Sequence, residues 1–205
     1  MASPLSTLVS LESGDRLTRA EFHDRYCARP DIKKAELVEG VVYVASPVRF
    51  RSHGQPHGRV INWLGTYQAR HPGLELGDNA TVIIDEDNEV QPDAFLWREE
   101  PGGPRLTEDD YIEGAPQLIV EVAASSASYD LHDKKEAYRR HGVREYIVWR
   151  VLEEAIDWFQ IADGQYVGVE PNERGIIESV VFSRLRLHAG KMVAGDLAGV
   201  LAELT

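Results

Sequence analysis

Gln117-Leu118-Ile119-Val120-Glu121-Val122-Ala123, then six residues, then Asp130-Leu131-His132-Asp133-Lys134-Lys135-Glu136-Ala137-Tyr138-Arg139-Arg140-His141-Gly142, is the stretch that decides the fold. Its first part is a short apolar run rich in β-branched residues, which reads as a strand buried on both faces. One acid, Glu121, interrupts that run. Its second part reads as a helix, with Asp130 as the N-terminal cap and Gly142 as the stop. Residues 144–151 (Arg-Glu-Tyr-Ile-Val-Trp-Arg-Val) then read as a second buried strand. Strand, helix and strand in this order place a helix on the face of a sheet.

Working upstream, residues 90–97 read as a strand carrying Pro92-Asp93, residues 85–88 as a turn and residues 80–84 as another strand. Residues 99–110, with Pro101-Gly102-Gly103-Pro104 inside them, read as an exposed loop. Before these comes a long helix over residues 51–71, with Val60, Ile61, Leu64 and Tyr67 at helical spacing. Pro56 fits its first turn, where a missing N–H costs little, and Pro72-Gly73 stops it. Residues 36–39 and 41–44 read as a hairpin around Gly40. Thr18-Arg19-Ala20-Glu21 matches a capping box for a first helix, with Phe22 and Tyr26 on one face and an end at Pro30. Downstream, residues 155–161 and 165–169 flank Asp163-Gly164 as a second hairpin. A strand over residues 176–182 and a helix over 194–204 close the chain. The expected core is helix, strand, strand, strand, helix, strand. This is a mixed α/β (α+β) sheet flanked by helices, with extra N-terminal and C-terminal β-hairpins. Residues 17–205 are expected to form one domain after a flexible stretch over residues 1–16.

Composition narrows the function classes. The chain has 205 residues, 43% hydrophobic and 27% charged, enough to bury a large core and unlike disordered or collagenous sequences. One cysteine, Cys27, excludes an internal disulfide framework and suits a reducing cytoplasm. No secretory signal and no apolar run near the ~20 residues of a bilayer span is evident. The 22 Lys and Arg stand against 34 Asp and Glu, a formal net charge of −12, so indiscriminate coating of nucleic acid is not expected. The charge is segregated. Residues 49–72 hold four arginines, three histidines and no acid, whereas residues 85–114 hold eleven acids against Arg98 and Arg105. Gly-rich dinucleotide and P-loop signatures are absent, as is the Gly-x-Ser-x-Gly elbow. His53 and His57 stand four apart, without a zincin motif.

Two acids fall where strands should be apolar, Asp93 and Glu121. A carboxylate in such a run is costly unless it is paired, hydrogen-bonded or metal-bound. Hard oxygen ligands of this kind suit Mg²⁺, which uses one or two carboxylates and keeps several waters. Lys134 and Lys135 both lie on the next helix, and helical spacing does not choose between them.

Six motifs in order carry a resemblance: Glu36-Leu37-Val38-Glu39-Gly40; His57 before Val60; Pro92-Asp93; Leu118-Ile119-Val120-Glu121-Val122; Asp130-x3-Lys134-x3-Tyr138; and Gly142-Val143-x-Glu145-Tyr146. Over residues 17–187 the chain resembles the Uma2 family, found in cyanobacteria and other bacteria and placed in the PD-(D/E)XK restriction-endonuclease-like superfamily. The resemblance implies an αβββαβ core and a metal-dependent endonuclease acting on the phosphodiester bonds of DNA. It implies Asp93, Glu121 and the Val122 backbone carbonyl as ligands of Mg²⁺ or Mn²⁺. The superfamily lysine normally lies two residues after the Glu, where this chain has Ala123, and the family pattern moves it to the following helix, selecting Lys134. His57 is implied as a group that orients water, phosphate or a carboxylate. Glu36, Glu39 and Tyr138 are weaker candidates. Arg49, Arg51, Arg59, Arg139 and Arg140 are expected to contact flanking phosphates, and a homodimer would suit cutting two strands. Departures from the family are Ala123-Ala124-Ser125-Ser126-Ala127 and Ile147, which bear on loop shape and packing. The alternative is a catalytically silent member of the fold that binds DNA or a protein partner, and a small-molecule metal hydrolase is a third reading.

Overall fold

The computed structural model describes residues 10–124 and 126–204. The Thr18 hydroxyl accepts from the Glu21 N–H and the Glu21 carboxylate accepts from the Thr18 N–H, so the capping box opens α1 (Arg19–Cys27). β1 (Ala35–Val38) and β2 (Val41–Val44) pair antiparallel around Glu39 and Gly40, whose φ of 52° and 71° suit a two-residue turn with both central residues left-handed. A π-helical turn (Phe50–Gly54) leads into α2 (Gln55–Gln68), with Pro56 in its first turn. Next come β3 (Glu75–Asp78), β4 (Val82–Ile83), β5 (Glu89–Val90), β6 (Ala94–Trp97), β7 (Arg105–Leu106), β8 (Ile112–Glu113) and β9 (Leu118–Ala123). The next helical segment has three parts: α3 (Ala127–Tyr129), a second π-helical turn (Asp130–Lys134) and α4 (Lys135–Arg140). After it come β10 (Glu145–Arg150), β11 (Ala155–Ala162), β12 (Gln165–Gly168), β13 (Ile176–Glu178), β14 (Arg186–His188), α5 (Ala189–Ala194) and α6 (Leu197–Leu201).

The strands form two six-stranded mixed sheets and a small hairpin. The central sheet has the order β12-β11-β10-β9-β6-β3, with β9 and β10 parallel and joined through the α3–α4 segment. The order α2, β3, β6, β9, α4, β10 is the expected αβββαβ core. The second sheet, β2-β1-β5-β4-β8-β7, contains the N-terminal hairpin. β11 and β12 extend the central sheet, and β13 and β14 pair apart from both.

Strand periodicity assigns the faces. Leu118, Val120 and Val122 join Ala94, Leu96, Ile147 and Trp149 in one core with Val60, Trp63, Leu64 and Tyr67 of α2. Ile119 and Ala123 join Phe95, Tyr146 and Val148 in another with Ala137 and Tyr138 of α4. β9 is buried along its whole length, which is why its sequence is apolar throughout rather than alternating.

Several expectations are corrected. The first strand of the core is β3, not residues 80–84, of which Val82 and Ile83 belong to the second sheet. β3 reads Glu-Leu-Gly-Asp and is an exposed edge, so it lacks the apolar signature of a strand. Residues 90–97 are not one strand: Gln91-Pro92-Asp93 separates β5 from β6, which lie in different sheets. Pro92 has no N–H for a ladder, so a break there is natural. Asp130 does not cap the helix. Helical structure begins at Ala127, and Asp130 is buried inside the segment. Residues 99–110 include β7, which pairs with β8. The C-terminal helix begins at Ala189 and divides at Gly195, whose φ of 85° ends α5. Of the stretch expected to be flexible, residues 1–9 lie outside the described residues. Residues 10–16 pack on the second sheet: Leu11 is buried, the Gly14 N–H donates to the Val42 carbonyl and Arg16 bridges to Val41. Among the described residues no helix is long and apolar enough to cross a membrane.

Gly77 pairs with Phe95 across β3 and β6, and the fully buried Phe95 ring covers the position its Cβ would take. Gly77→Ala is therefore expected to destabilise the fold by ~1–3 kcal/mol, the usual cost of overpacking. Chemical denaturation checks this, and an unchanged midpoint would remove Phe95 from the account of why β3 pairs here.

Candidate active site

Register brings the two strand acids together. Ala94 pairs with Val120 in the antiparallel β6–β9 ladder, so Asp93 falls opposite Glu121, on the α4 face of the sheet. The backbones lock the pair. The Val122 N–H donates to Asp93 Oδ2 at 2.8 Å, and the Asp93 N–H donates to Glu121 Oε2 at 3.4 Å. Both carboxylates are buried, with residue exposures of 4% and 2%.

Lys134 reaches Glu121 from the second π-helical turn. Its Nζ donates to Glu121 Oε1 at 2.9 Å and to Glu36 Oε1 at 2.9 Å, and it lies 3.9 Å from Asp130 Oδ1. The Tyr138 hydroxyl, one turn on in α4, donates to the same Glu121 oxygen at 3.0 Å. Glu36 comes from β1 and also accepts from the Gln91 N–H at 2.8 Å. One ammonium thus ties the hairpin, β9 and the helical segment into a single cluster.

The sequence reading did not single out Lys34 or assign His53 to this site. Lys34 Nζ donates to Asp93 Oδ1 at 2.9 Å. His53 Nε2 stands 3.2 Å from Asp93 Oδ2, and a carboxylate partner places the proton on that nitrogen. Both groups are partly exposed, at 23% and 20% of their side chains, whereas Lys134 is 3% exposed. Lys34 and His53 therefore form the open side of the cluster and Lys134 its floor. Lys34 stands two residues before Glu36, and β1 periodicity puts both on one face. That spacing was the available signal.

The other expected residues lie at varying distances from this cluster. His57 Nε2 donates to the Asp93 backbone carbonyl at 2.9 Å and lies 3.1 Å from Asp78 Oδ1. Its ring stacks near His53 at 5.7 Å. Glu39 is at the hairpin turn, outside the cluster, paired with Arg140 at 2.6 Å. Arg139 donates to Glu136 and to the Gly164 carbonyl, and Arg59 to the Met192 carbonyl. Arg139 and Arg140 line a cavity of about 840 Å³ between β2 and α4 whose walls include none of the buried carboxylates. Arg49 and Arg51 are exposed beside the π-helical turn that bears His53.

Electrostatics separates the two central acids. Burial pushes Glu121 up to about 8, beyond what the Lys134 charge recovers, with Asp93, Asp130 and Glu36 adding repulsion. Burial also acts against Asp93, but the His53 hydrogen bond and the Lys34 charge outweigh it and hold that carboxyl well below the usual range. Burial lowers Lys134, yet Glu121, Glu36 and Asp130 more than compensate and raise it. Four carboxylates (Glu36, Asp93, Glu121, Asp130) face two ammoniums (Lys34, Lys134). The fully ionised acids leave an excess of negative charge. The donors are all hard oxygens, so the set fits a divalent cation held by one or two carboxylates with water completing the shell. Among the described residues no group of three His, Cys, Asp or Glu side chains is arranged to hold a metal ion, so the fit is to that two-carboxylate type.

The fold has counterparts among known proteins. The profile of the Uma2 family, described as "Putative restriction endonuclease", matches residues 19–189. Among solved structures, a "putative nuclease belonging to DUF820" from Anabaena variabilis ATCC 29413 superposes with a TM-score of 0.63 at 13% identity, covering 89% of this chain and 98% of that one. That likeness is one of fold. No curated protein matches the chain.

The Glu121 shift has a measurable sign. Between its ordinary value of 4.5 and about 8 the folded protein holds a proton that the unfolded chain has released. Raising pH through this window therefore costs stability. In metal-free protein, the melting temperature of Glu121→Gln is expected to improve relative to wild type as pH rises from 5 to 8. Parallel curves for the two proteins would mean that Glu121 titrates normally.

Proposed function

The chain belongs to the Uma2 family, and from that membership and the cluster geometry we propose that it is a metal-dependent endonuclease hydrolysing phosphodiester bonds of DNA. The observation that carries this reading is the cross-strand pair of buried carboxylates, Asp93 and Glu121, locked by backbone N–H groups and bracketed by two lysines. Asp93, Glu121 and the Val122 carbonyl are the groups we assign to hold Mg²⁺ or Mn²⁺. The chemistry such an ion supplies is polarisation of a phosphoryl oxygen and a lowered pKa for bound water.

The remaining steps belong to the chain's own residues. Lys34 and His53, on the open side of Asp93, are placed to donate to phosphoryl oxygens and offset charge that develops on them. His57 fixes the Asp93 backbone through its carbonyl and so orients the carboxylate. Lys134 and Tyr138 hold Glu121 in one rotamer. In this scheme Lys134 acts through Glu121 and Lys34 meets the substrate.

A second reading has its own support. Both acids already rest on lysines, as expected of a catalytically silent member of the fold that binds DNA or a protein partner. Calorimetric titration with Mg²⁺ and Mn²⁺, with plasmid nicking measured in the same buffer, separates the two. Wild type is expected to bind metal and nick, whereas Asp93→Ala loses metal binding and nicks at least ~100-fold more slowly, the scale of losing a major electrostatic contact. DNA binding with neither metal binding nor nicking by wild type would favour the silent module. Lys134→Met leaves Glu36 and Glu121 buried without their cation and is expected to cost about 3–5 kcal/mol in chemical denaturation. A loss under 1 kcal/mol would show that the lysine is not the floor of the cluster.

A further inference from the structure

The π-helical turn that delivers His53 also displays an unusual surface. Phe50, its first residue, is 72% exposed. Its neighbours Arg49 and Arg51 are exposed as well, and among the described residues neither forms an ion pair. This holds in a chain with 34 acids, where most other arginines are matched: Arg19, Arg29, Arg105, Arg139, Arg140, Arg144, Arg150, Arg174 and Arg186 all face carboxylates. Leu152, 71% exposed, lies on a 3-10 turn (Val151–Glu153) packed beside the π-helical turn.

The turn is rigidly joined to the candidate site. The Arg49 carbonyl accepts from the N–H groups of His53 and Gly54, at 3.0 and 3.1 Å. His53 in turn contacts Asp93. The Phe50 backbone is therefore tied into the same turn as His53, three residues from the group that contacts Asp93.

We propose that Phe50, between Arg49 and Arg51, is a base-stacking platform that selects nucleic acid with an unstacked nucleobase beside the phosphodiester at Asp93. The proposal rests on the nuclease reading and names its substrate class. A flat apolar ring and two unpaired guanidiniums match the two features a nucleic acid repeats, a π-face and a phosphate on either side of it. An aromatic face can stack only where a base face is open, in a single strand, a strand end or a kinked step, because a regular duplex covers its bases with one another.

The test is fluorescence anisotropy in Ca²⁺ buffer with a labelled single strand and the matching duplex, over a range of salt. Wild type is expected to prefer the single strand. Phe50→Ala should weaken that binding about ten-fold, within the range of one lost base stack, while leaving duplex binding and the salt slope unchanged. Phe50→Trp should retain the affinity and show quenching of the new indole by the bound strand. Arg51→Gln should weaken both substrates alike and reduce the salt slope by about one. Equal single-strand affinity for Phe50→Ala and wild type would overturn the proposal and leave the nuclease reading intact. A dimer in sedimentation that Phe50→Ala converts to monomer, with nucleic-acid binding unchanged, would assign the ring to contact between copies and also overturn it. Failure of wild type to bind either strand would remove both readings together.

Discussion

One buried ammonium holds the candidate site together. Lys134 sits between Glu36 and Glu121 with almost no access to water. Its desolvation is offset only because carboxylates meet it from two directions, with Asp130 adding a third at longer range. Those acids come from the N-terminal hairpin, the central strand and the helical segment itself. The second sheet is thus fastened to the central sheet at the candidate site. A hydrophobic substitute could fill the space, but it would leave Glu121 and Glu36 as isolated buried acids. The arrangement makes sense as the support of a site rather than as a stability device, since buried ion pairs seldom improve on well-packed apolar groups.

Both helical segments that feed the site do so through a π-helical turn. Phe50–Gly54 presents His53 to Asp93, and Asp130–Lys134 presents Lys134 to Glu121. A π turn inserts an extra residue into the helical repeat and rotates the residues after it, which is why such turns recur at functional positions. Here each rotation turns a polar side chain toward the sheet while the adjoining helix still lays its apolar stripe on the core. Phe50, the first residue of its turn, faces solvent with an arginine on either side.

The two sides of the cluster differ in exposure, and this divides their roles. Lys34 and His53 meet Asp93 where water reaches, and Lys134 and Tyr138 meet Glu121 where it does not. Asp93 is accordingly held ionised, whereas burial pushes Glu121 up to about 8. Two acids that face each other across one ladder are thus pushed in opposite directions, because their surroundings differ rather than their chemistry.

The sequence by itself determined β9, β10, α2 and the capping box of α1, since apolar runs and helical spacing are local properties. It also exposed Asp93 and Glu121, because a carboxylate in an apolar run is anomalous wherever the strand later goes, and the family pattern singled out Lys134. Only the tertiary structure decided which strands share a sheet. β3 is a polar edge strand without an apolar signature, and the break at Pro92 sends β5 and β6 to different sheets. Only packing could add Lys34 and His53 to Asp93, because Lys34 lies 59 residues and His53 40 residues away along the chain. A lysine or histidine on a surface-like segment gives no local sign that a buried carboxylate from another sheet will meet it. Which cation each acid receives is fixed by ladder register and helix rotation, which are properties of the assembled fold.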